Sequence, residues 1–193
     1  LILGFAFSDL KIEQNIQQVR YVDFLIPGLL SLSLFTTSLF GTGMTIVANR
    51  REYLLKRYAV TPMNPYLYIT SHIFGRYMIF AVEFLVVILG AIWFFDFEIS
   101  GSWIDFTVMC ILSVSAFTAL SLLFSSRTQN SAAYNGMINL ITLPTMLLSG
   151  VWFPQDSFPS WLAAISKYLP LTPVVDALRQ IAVQGVSISA LSF

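Results

Sequence analysis

Charge is what this chain has least of. Lys and Arg number 10 and Asp and Glu another 10 among 193 residues, 10% in all, where a water-soluble domain carries about a quarter. The two signs cancel to a net charge of zero, so there is no basic excess to hold nucleic acid. One cysteine, Cys110, lies inside an apolar run and one histidine, His72, stands alone. That excludes an intrachain disulfide framework and a His/Cys metal cluster. A G-x-x-x-x-G-K-[ST] phosphate loop is also missing, so this chain brings no such nucleotide site of its own.

What fills the sequence instead is hydrocarbon: 56% hydrophobic residues and 17 phenylalanines, with a mean hydropathy of +0.76. Four runs, at 22–48, about 73–95, 102–124 and 132–153, are long enough at about 1.5 Å per residue to cross a hydrocarbon core of about 30 Å. Unsatisfied backbone groups cost several kcal/mol in lipid, which rules out open strands, and the runs lack the alternation of a barrel. The predicted fold class is therefore all-α: a polytopic membrane bundle of four complete transmembrane helices. The chain opens at Leu1 rather than Met, and "LILGFAF" reads as the tail of an earlier span, so the expectation is a piece of a longer chain.

The loops orient the runs. Arg50, Arg51, Lys56 and Arg57 fall between the first and second, with Arg76 just inside the second, while the next connection holds Asp96, Glu98 and Asp105 and no basic residue. The positive-inside bias then puts residues 50–72 in the cytoplasm, and Arg127 returns the third connection there. Arg76 is expected to snorkel to the inner headgroups.

The first connection, "RREYLLKRYAVTPMNP", encodes more than charge. Glu52 and Lys56 are in favourable i,i+4 order for a short cytoplasmic helix over about 50–61. Pro62 disfavours helical geometry at Thr61 and ends it; Asn64 and Pro65 suit the cap and first residue of the next helix. Two readings fit: a topology anchor with interfacial tyrosines, or a docking helix through which a soluble partner pushes on the spans. Beyond the fourth run, Pro154, Pro159, Pro170 and Pro173 punctuate residues 155–185, which are too broken to cross and read as an outer interfacial or re-entrant segment anchored by Trp161 and Tyr168.

Within the spans, Glu83 stands seven positions after Arg76; an intramembrane acid is a functional candidate or a hydrogen-bonded structural one. Asn135, Asn139 and Thr142, at i, i+4 and i+7, make one polar stripe on an apolar helix, either a substrate path or interhelical hydrogen bonding. Ser113, Ser115, Thr118 and Ser121 on the third run read as close packing.

The run from Glu52 to Pro62, "EYLLKRYAVTP", resembles the coupling-helix region of ABC-2 type permeases, membrane subunits of ABC exporters. The distal stretch "LPTMLLSGVWFPQDSFPSWLAAISKYLPLTPVVDALR" is similar to the family's end. The family's Ser-Gly-aromatic-Pro turn matches Ser149, Gly150, Phe153 and Pro154; its Pro-Trp-Leu helix matches Pro159, Trp161 and Leu162. Its Pro-Leu-Thr segment falls on Pro170, Leu171 and Thr172, and its Asp-Ala-x-Arg on Asp176, Ala177 and Arg179.

The resemblance implies a non-enzymatic permease subunit of an ATP-driven exporter, moving an amphipathic drug, lipid or glycan-type substrate outward by alternating access. It implies no cofactor in this chain, with ATP and Mg on a partner ABC ATP-binding subunit. It also implies a homodimer or a pair with a second permease half, in the membrane of a bacterium or archaeon, in contact with lipid. The implied ATPase-coupling residues are Arg50, Arg51, Glu52, Leu55, Lys56, Arg57, Thr61 and Pro62. The implied outer re-entrant motif is Ser149, Gly150, Phe153, Pro154, Trp161, Pro170, Asp176 and Arg179. Members have six spans, so the four runs would be the second to fifth. Two other classes stay open: an ion-coupled carrier or channel using Glu83, and a membrane-embedded enzyme, for which Ser149 and His72 lie near opposite faces and cannot share a proton.

Overall fold

A computed structural model describes residues 11–14, 17–51, 65–97, 99–128, 130–152 and 158–191. Its first element is a short antiparallel hairpin that the all-α expectation did not include. β1 (Lys11–Gln14) pairs with β2 (Gln17–Arg20), with Lys11 opposite Arg20 and Ile12 opposite Val19 in the backbone register. Among the described residues, every regular element after it is helical.

α1 (Tyr21–Thr36) passes into a π-helical segment (Thr37–Gly43) and then α2 (Met44–Arg51). After residues 52–64, α3 starts at Pro65 and runs to Phe95; α4 is Trp103–Arg127 and α5 Ser131–Leu148. Proline at a helix's first position loses nothing, because that N–H has no intrahelical acceptor. Two shorter helices follow, α6 (Ser160–Ser166) and α7 (Thr172–Gln184), then a 3-10 turn at Ile188–Ala190.

Three helical stretches among the described residues are long and apolar enough to cross a membrane: Tyr21–Arg50, Thr70–Phe95 and Trp103–Arg127. The protein is thus an integral membrane helical bundle. α5 is not among the three. Its 18 residues rise only about 27 Å, its hydropathy is lowered by Asn135 and Asn139, and it stops at Leu148 instead of continuing to 153. Burial also differs between the stretches: 61% of the most apolar window of Tyr21–Arg50 is buried within the chain, against 17% for Thr70–Phe95. On α3, Phe74, Val82, Val86, Leu89 and Trp93 are all more than half exposed.

The chain divides into two compact units, one drawn from residues 1–32, 83–110 and 144–193, the other from 33–82 and 111–143. In the first, Val174, Val175, Leu178 and Ile181 of α7 are buried, as are Phe24, Leu25 and Phe106. In the second, Phe35 meets Phe117 edge to face with ring centroids 5.0 Å apart, a favourable aromatic geometry, and Leu34, Leu39, Tyr134 and Ile138 are fully buried.

Candidate functional site

The second unit carries the described part of the basic connection. The Arg50 guanidinium, at the end of α2, donates to the Ser126 carbonyl at 3.0 Å and the Thr128 carbonyl at 3.2 Å. The last carbonyls of a helix have no intrahelical donor and carry the negative end of its dipole. Arg50 therefore caps the C-terminus of α4, a role beyond the topology-anchor and docking readings that the sequence offered for it. Arg51 closes α2. Glu52, Leu55, Lys56, Arg57, Thr61 and Pro62 lie outside the described residues.

About two turns before Arg50, the first long helix changes its hydrogen-bond register. A π segment closes i→i+5 bonds where its flanks close i→i+4, and carbonyls at the junctions need other donors. At the exit, Met44 N–H turns to the Phe40 and Gly41 carbonyls. The Leu39 carbonyl is met by the Tyr134 hydroxyl at 2.7 Å, with Ser121 Oγ at 3.4 Å from both Leu39 O and Tyr134 Oη. At the entry, the Thr36 and Thr37 hydroxyls donate to Ser33 O at 3.1 and 2.8 Å.

Arg76 reaches this same segment from α3. Its Nε donates to Ser38 Oγ at 2.9 Å and its Nη2 to the Leu34 carbonyl at 3.2 Å, and the residue is only 3% exposed. Arg76 is thus buried where snorkelling was expected, because Ser38 of the π segment and the Leu34 carbonyl just before it offer oxygen acceptors inside the protein. Gly43 completes the arrangement: a Cβ there would lie 1.7 Å from Tyr134 Oη and 2.6 Å from Ser121 Oγ, so the tyrosine approaches only because the side chain is missing. Ser38, Gly43 and Tyr134 were not singled out in the sequence. The available signal was Arg76 itself, a charge within an apolar run, which demands partners.

The polar stripe of α5 is uneven. Asn135 is half-buried, Asn139 exposed and Thr142 buried, and the Thr142 hydroxyl has no hydrogen-bond partner within the described residues. Glu83 is half-buried on α3.

The first unit holds the described part of the distal motif, which includes one buried cation. Arg179 of α7 is 4% exposed; its Nε donates to the Phe24 carbonyl at 3.2 Å and its Nη2 to the Val151 carbonyl at 3.1 Å. The guanidinium carbon stands 3.5 Å over the centre of the Phe24 ring, a cation–π contact that partly replaces lost hydration. Burial pushes Arg179 down to about 9, with Asp176 and Tyr21 pulling it back up, so it stays charged at neutral pH. Gly28 leaves room for it, since a Cβ there would lie 2.9 Å from Nη2.

The bend that supplies Val151 is the Ser149–Gly150 pair. Ser149 N–H still bonds the Thr145 carbonyl at 2.9 Å, then Gly150 turns to φ 76°, a left-handed conformation that glycine adopts without strain. The Tyr21 hydroxyl donates to the Trp152 carbonyl at 3.3 Å, so both α1 and α7 hold this bend. Phe153 and Pro154 lie outside the described residues. Trp161 is 65% exposed, and Pro170 precedes Leu171, the residue that caps α7. Thr172 Oγ1 bonds the Ser166 carbonyl at 2.7 Å, joining α6 to α7. The far end of α7 is docked through Ser100 N–H on the Ala182 carbonyl at 2.9 Å. Gly101 lies so close to Ile181 O that a Cβ would sit 2.3 Å from it.

A family model described as ABC-2 type transporter matches residues 1–183, which include both the interrupted first long helix and most of the distal motif. The chain belongs to the ABC-2 type transporter family. It is 27% identical over 172 residues to ABC transporter G family member 20 of Dictyostelium discoideum, covering 88% of this chain and 23% of that protein. It is 24% identical over 181 residues to ycf38 of Cyanophora paradoxa, a protein named as a transport permease, covering 93% of this chain and 62% of the relative. Against YbhR of Escherichia coli strain K12, named as a probable multidrug ABC transporter permease, identity is 21% over 169 residues, covering 87% of this chain and 46% of the relative. The ABC-2 chain thus spans less than two thirds of the length of these relatives. No solved structure matches it significantly.

Proposed function

We propose that this chain is the membrane-spanning part of an ATP-driven ABC exporter that moves an amphipathic drug, lipid or glycan-type substrate outward by alternating access. The family match over residues 1–183 carries the reading. A partner ATP-binding subunit supplies ATP and Mg, two permease halves make the unit, and the exposed apolar face of α3 meets lipid. In this scheme residues 50–61 are the cytoplasmic coupling helix, gripped by the ATPase. Arg50 supports the assignment: it ties the root of that segment to the end of α4, so that a push there is delivered to two spans. The bend at Ser149–Gly150, held through Arg179, is the outer re-entrant element.

The test is reconstitution of the native full-length protein with its ATPase in vesicles, measuring ATP-dependent substrate movement and substrate-stimulated hydrolysis. Reversing the charges of Glu52 and Arg57 should abolish co-purification with the ATPase and stimulated hydrolysis while membrane insertion persists. If both survive, the segment is a topology anchor only. Transport driven by an ion gradient without the ATPase would reject the exporter reading in favour of a carrier using Glu83.

A further inference from the structure

Between α3 and α4, inside the second unit, lies a cavity of about 180 Å³ lined by Ile73, Tyr77, Val114, Ser115, Thr118 and Leu122 and by the exposed Ala119. The lining residues repeat at i, i+4 on α3 and i, i+1, i+4, i+5, i+8 on α4, the spacing of two facing helical surfaces. No charged side chain contributes. An apolar cavity of about 150 Å³ is enough to hold benzene, so this one accepts a single ring or a short alkyl segment.

Its hydroxyls show what else the occupant carries. Ser115 Oγ gives its one proton to the Ile111 carbonyl at 2.7 Å. At the 2.6 Å contact with Tyr77 Oη, Tyr77 must therefore be the donor, which leaves the phenol oxygen free to accept. Thr118 is 3% exposed, and its hydroxyl oxygen, turned away from any accessible surface, has no partner among the described residues. A helical threonine ordinarily returns its proton to the carbonyl four residues back, as Thr107 does to Trp103 at 2.8 Å; Thr118 does not. A buried hydroxyl without a partner is the exception in native structures.

We propose that this cavity is a binding site for an uncharged lipophilic alcohol or phenol, entering from the bilayer past Ala119. Its ring or chain fills the apolar volume. Its hydroxyl accepts from Thr118 after a rotation about χ1 and donates to the Tyr77 oxygen. A hydrocarbon of equal size leaves Thr118 unpaired, and an anion or ammonium group finds no counter-charge. The proposal concerns binding and does not depend on the exporter reading.

The experiment uses the native full-length protein in lipid nanodiscs with a phenol bearing a photoreactive diazirine, and maps labelled peptides by mass spectrometry. Saturable labelling of the peptides around Tyr77 and Thr118, displaced by phenol, is expected. Thr118→Val keeps shape and loses only the hydroxyl; it should weaken phenol competition by roughly two- to tenfold, leave competition by benzene unchanged, and not lower the melting temperature. Ala119→Phe, at an exposed position, should block the entrance and remove saturable labelling. Non-saturable labelling, labelling elsewhere only, equal phenol affinity in Thr118→Val, or a melting temperature lowered by that substitution would each overturn the site.

Discussion

Two glycines in the π segment, Gly41 and Gly43, should respond in opposite ways to the same added methyl group. At Gly43 a Cβ would stand 1.7 Å from Tyr134 Oη, 2.4 Å from its Cζ and 2.6 Å from Ser121 Oγ. Tyr134 is fully buried, so its ring cannot swing to solvent; it must retreat and surrender its bond to the Leu39 carbonyl. The lost partner of a buried acceptor costs about 1–3 kcal/mol and overpacking a further ~1–3 kcal/mol. Gly43→Ala should therefore destabilise by roughly 2–6 kcal/mol. Nothing lies within 4 Å of a Cβ at Gly41, so Gly41→Ala should be neutral, or stabilising by up to about 1 kcal/mol through helix propensity. Thermal or denaturant unfolding in detergent, followed by far-ultraviolet circular dichroism, compares the two. Adding Tyr134→Ala to Gly43→Ala should give a double variant less destabilised than the sum of the singles, by about 0.5–3 kcal/mol of coupling. If Gly43→Ala unfolds within about 0.5 kcal/mol of the parent, Tyr134 does not hold the π segment.

Other substitutions probe the remaining anchors. Arg179→Ala removes donors from the buried Phe24 and Val151 carbonyls and should cost about 2–4 kcal/mol. Arg179→Lys should recover only part of this, because an ammonium cannot both stack on Phe24 and fork to two carbonyls; unfolding midpoints of the three proteins check the order. Arg50→Ala should lower stability by only about 0.5–1.5 kcal/mol, yet in the reconstituted transporter it should reduce transport per ATP hydrolysed. Equal coupling ratios would confine Arg50 to capping α4. Replacing Asn135 and Asn139 by leucine should impair export with stability kept; unchanged export would remove them from the substrate path.

The legible part of this protein is the part that depends on local hydrophobicity. Runs of apolar residues define helices that cross a bilayer because lipid offers no partner to backbone groups, and Pro65 marks the start of α3 for reasons internal to the chain. The distal motif was also legible, as a linear pattern around Asp176 and Arg179. The fourth run reads through to 153, yet α5 stops at Leu148: Gly150 can end a helix, but that it does so here rests on the contacts of the bend to α1 and α7. The hairpin at β1 and β2 was not legible either, because its ten-residue stretch is polar and carries no strong period.

By itself, then, the order of residues settled the solvent, the helical class and the family, since each follows from composition or from a linear pattern. Tertiary structure alone decided the fate of the charges. Arg76 lies in an apolar run either way, and only the meeting of α3 with an interrupted first helix gives it Ser38 and the Leu34 carbonyl to bind. Arg179 is a motif letter until Phe24 and Val151, 155 and 28 positions away in the chain, are brought to its nitrogens. A buried cation must find oxygen within about 3 Å, and which oxygen comes that close is a property of packing, not of sequence separation.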